Sequence, residues 1–186
     1  MKIRYDSPVI LSFAIISAII SILSLFMPIN QFLAFPGKFY NLISFLQVFT
    51  AGFSHANFNH LLGNMSLFLL LGPLLEEKYG SKKIFLMIFE TLLLTAVINS
   101  IFIKQPVLGA SGIVFMMIAL AGIGKNSKNN EINLSFILIA LLFSGSEIVG
   151  IFKNDGISHF SHLMGGVCGA ILGYFHTKNV EKEEIV

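Results

Sequence analysis

The sequence predicts an all-α membrane protein: a bundle of six transmembrane helices with a short, recessed fourth helix and a first outer loop in the membrane interface. Three observations support this fold class. The 186 residues are 55% hydrophobic and 12% charged, with a mean hydropathy of +0.81, whereas soluble domains carry about 25% charged residues. Apolar residues form six segments separated by short polar stretches. Most basic residues fall in alternate connections between these segments.

The six apolar segments follow one another without a linker rich in Pro, Gly or Ser, which predicts a single domain over residues 1–186. The first segment lacks a small-residue cleavage site followed by a soluble domain, and this favours a transmembrane helix over a signal peptide. The predicted transmembrane segments cover residues 8–27, 58–75, 84–103, 111–124, 134–152 and 160–176.

The basic residues predict the orientation of the bundle. With the N-terminus inside, nine of the twelve lie on the inner side and three on the outer side, as the positive-inside rule requires. Both termini are therefore expected in the cytoplasm. The abundance of Lys, Asn and Ile suggests an AT-rich, bacterial genome, so the expected location is a bacterial inner membrane. The inner residues are Lys2, Arg4, Lys78, Lys82, Lys83, Lys125, Lys128, Lys178 and Lys182, and the outer ones are Lys38, Lys104 and Lys153.

The first outer loop, residues 30–57, is long and rich in Phe, Leu and Ile. A loop surrounded by water would not expose so many apolar side chains. We therefore expect short helices here that lie in the membrane interface.

Polar residues inside the second apolar segment are candidates for function, because polar groups are costly in a bilayer. His60 and Asn64 are four residues apart and share one helix face. The alternative is that both only form hydrogen bonds between helices.

The fourth segment is too short to cross the membrane. Ser111 lies 14 residues before Lys125, or roughly 21 Å along a helix, whereas the hydrocarbon core is about 30 Å thick. The segment must begin below the outer surface, with residues 107–112 dipping inward to meet it. A serine at such a helix start can alternatively serve as an N-cap only.

The last segment carries His162, which lies 14 residues before His176 and so roughly 21 Å above the inner end. Gly165, Gly169 and Gly173 recur every four residues and would let a neighbouring backbone approach closely. The alternative is that His162 has a structural role and only forms a hydrogen bond with a polar partner within the bundle.

The depths of these residues converge. Measured from Glu76, His60 lies roughly 24 Å and Asn64 roughly 18 Å above the inner end, and Ser111 and His162 both lie near 21 Å. Four costly polar groups on three helices therefore share one level, which favours a functional site over independent structural roles.

The residue types at this level suit acyl transfer. His162 can act as the general base that activates the Ser111 hydroxyl. Donors for the developing oxyanion are Asn64, His60 and the backbone N–H groups of Ala110 and Ser111.

The backbone around Ser111 is expected to be bendable and open to substrate, because Gly109 and Gly112 flank Ala110 and Ser111. No acidic residue has a clear link to His162, so a Ser–His dyad is favoured over a triad. The acids considered are Asp6, Glu90, Glu147 and Asp155.

These motifs resemble those of the rhomboid family of intramembrane proteases over residues 50–173. The second segment is similar to the family's second-helix signature, and the last segment to its His–x2–Gly–x3–Gly motif. GASG at 109–112 resembles the nucleophile motif. The matching residues are His55, His60, Asn64, Gly72, Glu76, Gly80, Ser111, His162, Gly165 and Gly169.

The resemblance implies a serine endopeptidase that cleaves transmembrane proteins in the bilayer near its outer face, with Ser111 as nucleophile and His162 as base. It also implies that Phe115 packs on the catalytic histidine and that the fifth helix and its loops control access. The chain departs from the Trp–Arg pair that many members carry in the first outer loop, since it has no Trp and Arg4 is its only Arg.

Three alternatives remain. A catalytically inactive relative that binds client transmembrane helices would share the fold. A metal site is disfavoured because there is no HExxH pair, and a transporter because the polar groups cluster at one depth. No cofactor, metal or nucleic-acid partner is expected, and the net charge is only +2.

His159 lies three residues before His162. It could face the same cavity and tune the pKa of His162, or it could lie at the surface.

Overall fold

The computed structural model describes residues 4–122, 134–150 and 159–183. These residues form eight α-helices and one 3₁₀ turn, Ala51–Phe53. Several residues considered above, Lys125, Lys128, Lys153 and Asp155, lie outside the described residues, as do the side chains of Glu147 and His176. The helices are α1 (Pro8–Leu23), α2 (Ile29–Leu33), α3 (Leu42–Thr50), α4 (Phe58–Tyr79), α5 (Ser81–Phe102), α6 (Ser111–Gly122), α7 (Leu134–Gly150) and α8 (His159–Glu183).

The predicted all-helical class is confirmed for this part of the chain. Each of the six predicted apolar segments coincides largely with one helix: α1, α4, α5, α6, α7 and α8. Two of the described helices, α4 and α5, are long and apolar enough to cross a membrane by themselves. That all six helices cross the membrane remains a prediction.

The bounds of α4 and α5 differ from the predicted ones. The second and third predicted segments cover residues 58–75 and 84–103, but α4 continues to Tyr79 and α5 begins at Ser81. A helix need not end where the hydrocarbon core ends. Gly80 separates the two helices because its φ of +83° is left-handed, a conformation that glycine adopts without strain.

The core of the bundle lies around α6. Ile113, Met116, Met117 and Leu120 are fully buried there, and α8 packs closely along the same helix. A Cβ atom on Gly165 would overlap the carbonyl of Gly112, and one on Gly169 would overlap that of Met116. The glycines of α8 therefore allow the close approach of backbones that the sequence predicted.

Helix α1 is anchored to α4 through Glu76. This buried carboxylate accepts hydrogen bonds from the backbone N–H groups of Val9 (3.1 Å) and Ile10 (3.0 Å). It thereby satisfies two donors that the first turn of α1 cannot satisfy itself. Gly72 faces the Ile10 side chain so closely that a Cβ would lie 2.8 Å from it. The sequence placed Glu76 at the inner membrane boundary and within a family motif, but did not show its partners on α1.

The first outer loop contains α2 and α3, as predicted. Helix α3 begins with a capping box in which the Asn41 side chain accepts from the backbone of Ser44 and the Ser44 hydroxyl accepts from the backbone of Asn41. Its apolar side chains Leu42, Ile43 and Leu46 point outward. The location of this loop in the membrane interface remains a prediction.

Candidate active site

Ser111 is the first residue of α6, at the end of a turn made by Gly109 and Ala110. Gly109 has a φ of +110°, which only glycine adopts without strain. Ala110 is fully buried, and its carbonyl accepts the N–H of Val114 at 3.0 Å. The first N–H groups of a helix have no acceptor within it, so the backbone at Ser111 presents donors at the level of the candidate site.

His162 lies one turn into α8 and is buried against α6. Its ring stacks on that of Phe115, with centroids 5.2 Å apart and planes at 16°. The Ser161 carbonyl lies 3.5 Å from the position of a Cβ on Gly112. Ser111 precedes Gly112 and His162 follows Ser161, so both residues lie where α6 and α8 meet.

His60 and Asn64 both face the turn before Ser111. A Cβ on Gly109 would lie 2.7 Å from Cε1 and 3.0 Å from Nε2 of His60, and 3.6 Å from Nδ2 of Asn64. The Asn64 Nδ2 atom is buried and has no hydrogen-bond partner. A buried amide without a partner is costly, and this one points at the turn where the sequence predicts an oxyanion.

The surroundings of His60 favour one tautomer. The N–H of Ala56 points at Nδ1 of His60 over 3.5 Å, which favours a proton on Nε2, the nitrogen nearer Gly109. The Asn57 side chain caps α4 by accepting the His60 N–H at 2.9 Å. His60 of α4 lies against Gly109 and Gly165 of α8 lies against Gly112, so α4 and α8 border the same turn at the start of α6.

His55 supports His60 from the preceding loop. Their rings meet edge to face with centroids 5.2 Å apart. Nδ1 of His55 lies 3.3 Å from the carbonyl of Phe53, and Asn30 donates to the His55 carbonyl at 2.7 Å. Burial, together with the neighbouring His60, lowers the pKa of His55 from 6.5 to about 4. His55 is therefore neutral at physiological pH.

A second histidine lies beside His162. His159 is half-buried, and its ring meets that of His162 at 77° with centroids 6.1 Å apart. His159 thus faces the candidate base, one of the two placements considered from the sequence.

The carboxylates whose positions are described lie apart from this junction. Asp6 is exposed before the start of α1, and the Glu76 carboxylate accepts hydrogen bonds from the backbone of α1. Glu90 is half-buried in the middle of α5. Within the described ranges no group of three or more His, Cys, Asp or Glu side chains could hold a metal ion.

Sequence reasoning did not find two features of the site. The backbone carbonyl of Ala51 accepts the N–H of Gly109 at 2.8 Å. A bond between two backbone groups cannot be predicted from the pattern of side chains. A cavity of about 30 Å³ also borders Gly109, Thr95 and Ser161. Thr95 and Ser161 do not belong to the motifs from which the site was predicted.

Comparison with known proteins agrees with these observations. The family model described as "Rhomboid domain" matches residues 42–179. Among curated proteins, the chain is 26% identical over 156 residues to "Rhomboid-like protein 11, chloroplastic" of Arabidopsis thaliana, covering 75% of this chain and 55% of that protein. It is 24% identical over 184 residues to "Rhomboid protease GlpG" of Yersinia pseudotuberculosis and of Yersinia pestis, covering 92% of this chain and 64% of those proteins.

The chain thus spans 55% to 64% of the length of these relatives. The family model covers well over half of the chain and includes every residue of the helix junction described above. The chain belongs to the rhomboid family of membrane-embedded proteins.

Proposed function

We propose that this protein is an intramembrane serine endopeptidase in which Ser111 is the nucleophile and His162 the general base. One observation carries the proposal: the buried, unpartnered Asn64 amide is directed at the turn before Ser111, at a junction that also holds His162. An unpaired buried donor reduces the stability of the folded protein. It becomes useful when a substrate oxygen arrives that carries negative charge.

The first half of the reaction forms an acyl-enzyme. His162 removes the proton from Ser111 Oγ, and Oγ attacks the carbonyl carbon of the scissile peptide bond. The carbonyl oxygen becomes an oxyanion that accepts from Asn64 Nδ2, His60 Nε2 and the Ala110 and Ser111 backbone. When the tetrahedral intermediate collapses, the C–N bond breaks and His162 gives its proton to the leaving amine.

The second half releases the acyl group. His162 takes a proton from water as the water oxygen attacks the ester carbon, and the same donors hold the second oxyanion. Collapse breaks the bond to Ser111 Oγ, which recovers the proton from His162, and the new carboxyl terminus leaves. No cofactor is needed, because each proton taken by His162 is returned within the same half-reaction.

The proposed substrates are transmembrane proteins, cleaved within or near their membrane segments. Two features support a membrane setting: α4 and α5 can cross a bilayer, and the chain belongs to a membrane-embedded family. With six crossings and the basic residues inside, both termini lie in the cytoplasm of a bacterium and the site opens toward the outer face of the inner membrane.

The test is cleavage of tagged single-pass substrates in proteoliposomes by the wild type, Ser111→Ala and His162→Ala. Ser66→Ala is the matched control, because Ser66 is exposed on α4 and bonds only to the Leu62 carbonyl at 2.7 Å. A fluorophosphonate probe reports the reactivity of the serine independently of the substrate. We expect cleavage and labelling by the wild type and Ser66→Ala, with both lost in Ser111→Ala.

Each contrary result has a definite meaning. Cleavage that persists in Ser111→Ala excludes the proposed nucleophile. If the folded wild type neither cleaves any substrate nor reacts with the probe, the endopeptidase proposal is wrong, and an inactive relative that binds client transmembrane helices becomes the better account.

A further inference from the structure

The first outer loop and the segment before Ser111 form one hydrogen-bonded unit. Phe35 and Val107 are an antiparallel pair: the Phe35 N–H donates to the Val107 carbonyl at 3.0 Å, and the Val107 N–H donates to the Phe35 carbonyl at 2.9 Å. Phe35 is buried in a small apolar cluster with Val48 and Ala51, against which Val107 packs. The Phe35–Val107 pair is therefore stabilised by apolar packing as well as by two hydrogen bonds.

A second bond from this loop reaches the turn itself. The carbonyl of Ala51 accepts the N–H of Gly109 at 2.8 Å, two residues before Ser111. Gly109 needs a left-handed φ and lies against His60 and Asn64. The direction in which the N–H groups of Ala110 and Ser111 point therefore depends on a bond made by the first outer loop.

Gly37 lies against the segment before Ser111. Its φ is +86°, and a Cβ there would lie 2.6 Å from the carbonyl oxygen of Gln105 and 2.8 Å from the carbonyl carbon of Lys104. These are backbone atoms, which cannot swing aside as a side-chain end can. The Gln105 carbonyl is also held from the other side by Asn99 Nδ2 at 2.8 Å.

We propose that Gly37 is a positioning residue for the reaction: it lets the first outer loop clamp residues 105–109 and so sets the backbone that presents the oxyanion donors. The consequence for turnover rests on the proposed function, whereas the clamp itself does not. Gly37 acts through Gln105, Val107 and Gly109 and touches no substrate. Since a misplacement of about 1 Å can cost about 100-fold in rate, a small push at Gln105 is enough to impair catalysis.

Gly37→Ala has a matched control in Gly80→Ala. Gly80 has nearly the same left-handed φ, +83°, but a Cβ there would meet nothing within 4 Å. Both variants place an alanine at a positive φ, which costs stability, and only Gly37→Ala also displaces the Gln105 backbone. Comparison of the two separates the clamp from a general loss of stability.

The experiment measures amide hydrogen exchange of residues 105–110, together with kcat and KM, in the wild type and both variants. We expect Gly37→Ala to raise exchange in 105–110 and to lower kcat about 10- to 100-fold with KM unchanged. Gly80→Ala should leave both as in the wild type. Exchange of 105–110 that stays at the wild-type level in Gly37→Ala overturns the proposal, whatever the activity.

A second variant covers the case in which Gly37→Ala does not fold. Phe35→Leu keeps the backbone pair but weakens its apolar packing, so it should raise exchange at Val107 and Gly109 to a smaller extent. Unchanged exchange in Phe35→Leu would count against the clamp. If the wild type proves inactive, the proposed function fails, but the exchange comparison still decides whether the first outer loop holds residues 105–109.

Discussion

The ring of Phe115 lies parallel to the imidazole of His162, so that α6 supplies both the candidate nucleophile and the surface on which the candidate base rests. Phe115 also meets Phe143 of α7 edge to face, with centroids 5.8 Å apart. The orientation of His162 therefore depends on packing from a helix that does not carry it.

Loss of this ring should slow the reaction without unfolding the protein. We expect Phe115→Ala to lower kcat about tenfold, since aromatic pairs contribute about 0.5–1.5 kcal/mol and tenfold corresponds to about 1.4 kcal/mol. Phe115→Tyr should retain most activity, because it keeps the stacked face. Phe85→Ala, at an outward-facing phenylalanine of α5, is the control. Equal effects of the two alanine variants would contradict a specific role for Phe115.

Asn64 should matter in the transition state more than in substrate binding. Removal of one oxyanion donor costs about 100- to 1000-fold in kcat, and we expect Asn64→Ala to fall in this range with little change in KM. Steady-state kinetics on a peptide substrate measures both constants. Ser66→Ala, two residues along α4, should behave as the wild type. A rise in KM with kcat unchanged would assign Asn64 to substrate binding instead.

The Glu76 carboxylate should stabilise the bundle. Glu76→Ala leaves the N–H groups of Val9 and Ile10 without acceptors, at a cost of about 1–3 kcal/mol. Glu77 is exposed, and Glu77→Ala should have little effect. Thermal unfolding in detergent compares the two variants. A lower Tm for Glu77→Ala than for Glu76→Ala would mean that the hydrogen bonds to α1 contribute little.

The contact between α6 and α8 should not tolerate added volume at Gly165. Gly165→Ala places a methyl group against the Gly112 carbonyl, and overpacking typically costs about 1–3 kcal/mol. Gly166→Ala is the control, because a Cβ there meets nothing within 4 Å. We expect lower thermal stability and lower activity for Gly165→Ala only. A fully active, stable Gly165→Ala would show that the helices can separate without harm.

His55 should make the protein sensitive to acid. Its pKa is about 4 when folded and 6.5 when unfolded, so the unfolded chain binds more protons between these values and stability falls as the pH drops through this window. The loss should be about 3 kcal/mol by pH 4. His55→Gln does not titrate, so its Tm should change less between pH 7 and pH 4.5. Equal changes in both proteins would refute this role.

Much of the candidate site could be predicted because its residues are unusual for their surroundings. His60, Asn64 and His162 are polar groups in apolar segments, and simple helix geometry puts them at one depth with Ser111. The close approach of α8 to a neighbouring helix could also be predicted, since Gly165 and Gly169 recur at the spacing of a helix face. Periodicity and composition are local properties, and they describe each helix well.

The remaining contacts depend on residues far apart in the chain. Glu76 belongs to a family motif, yet the motif does not show that Glu76 bonds to the backbone of Ile10, which lies 66 residues away. The bond between Ala51 and Gly109 joins backbone atoms, which every residue offers, so no residue type signals it. Gly37 stood in a loop with no motif, and its neighbour Gln105 lies on another segment.

The sequence by itself determined the membrane class, the helical elements, the family and the residues with suitable chemistry, because each of these depends on residue type and short spacing. Tertiary structure alone decided two contacts that hold the site: Glu76 of α4 caps the first turn of α1, and the first outer loop forms hydrogen bonds with the segment before Ser111. These contacts depend on which backbone groups lie next to each other. That pairing is determined by hydrogen bonding and close packing once the helices have assembled.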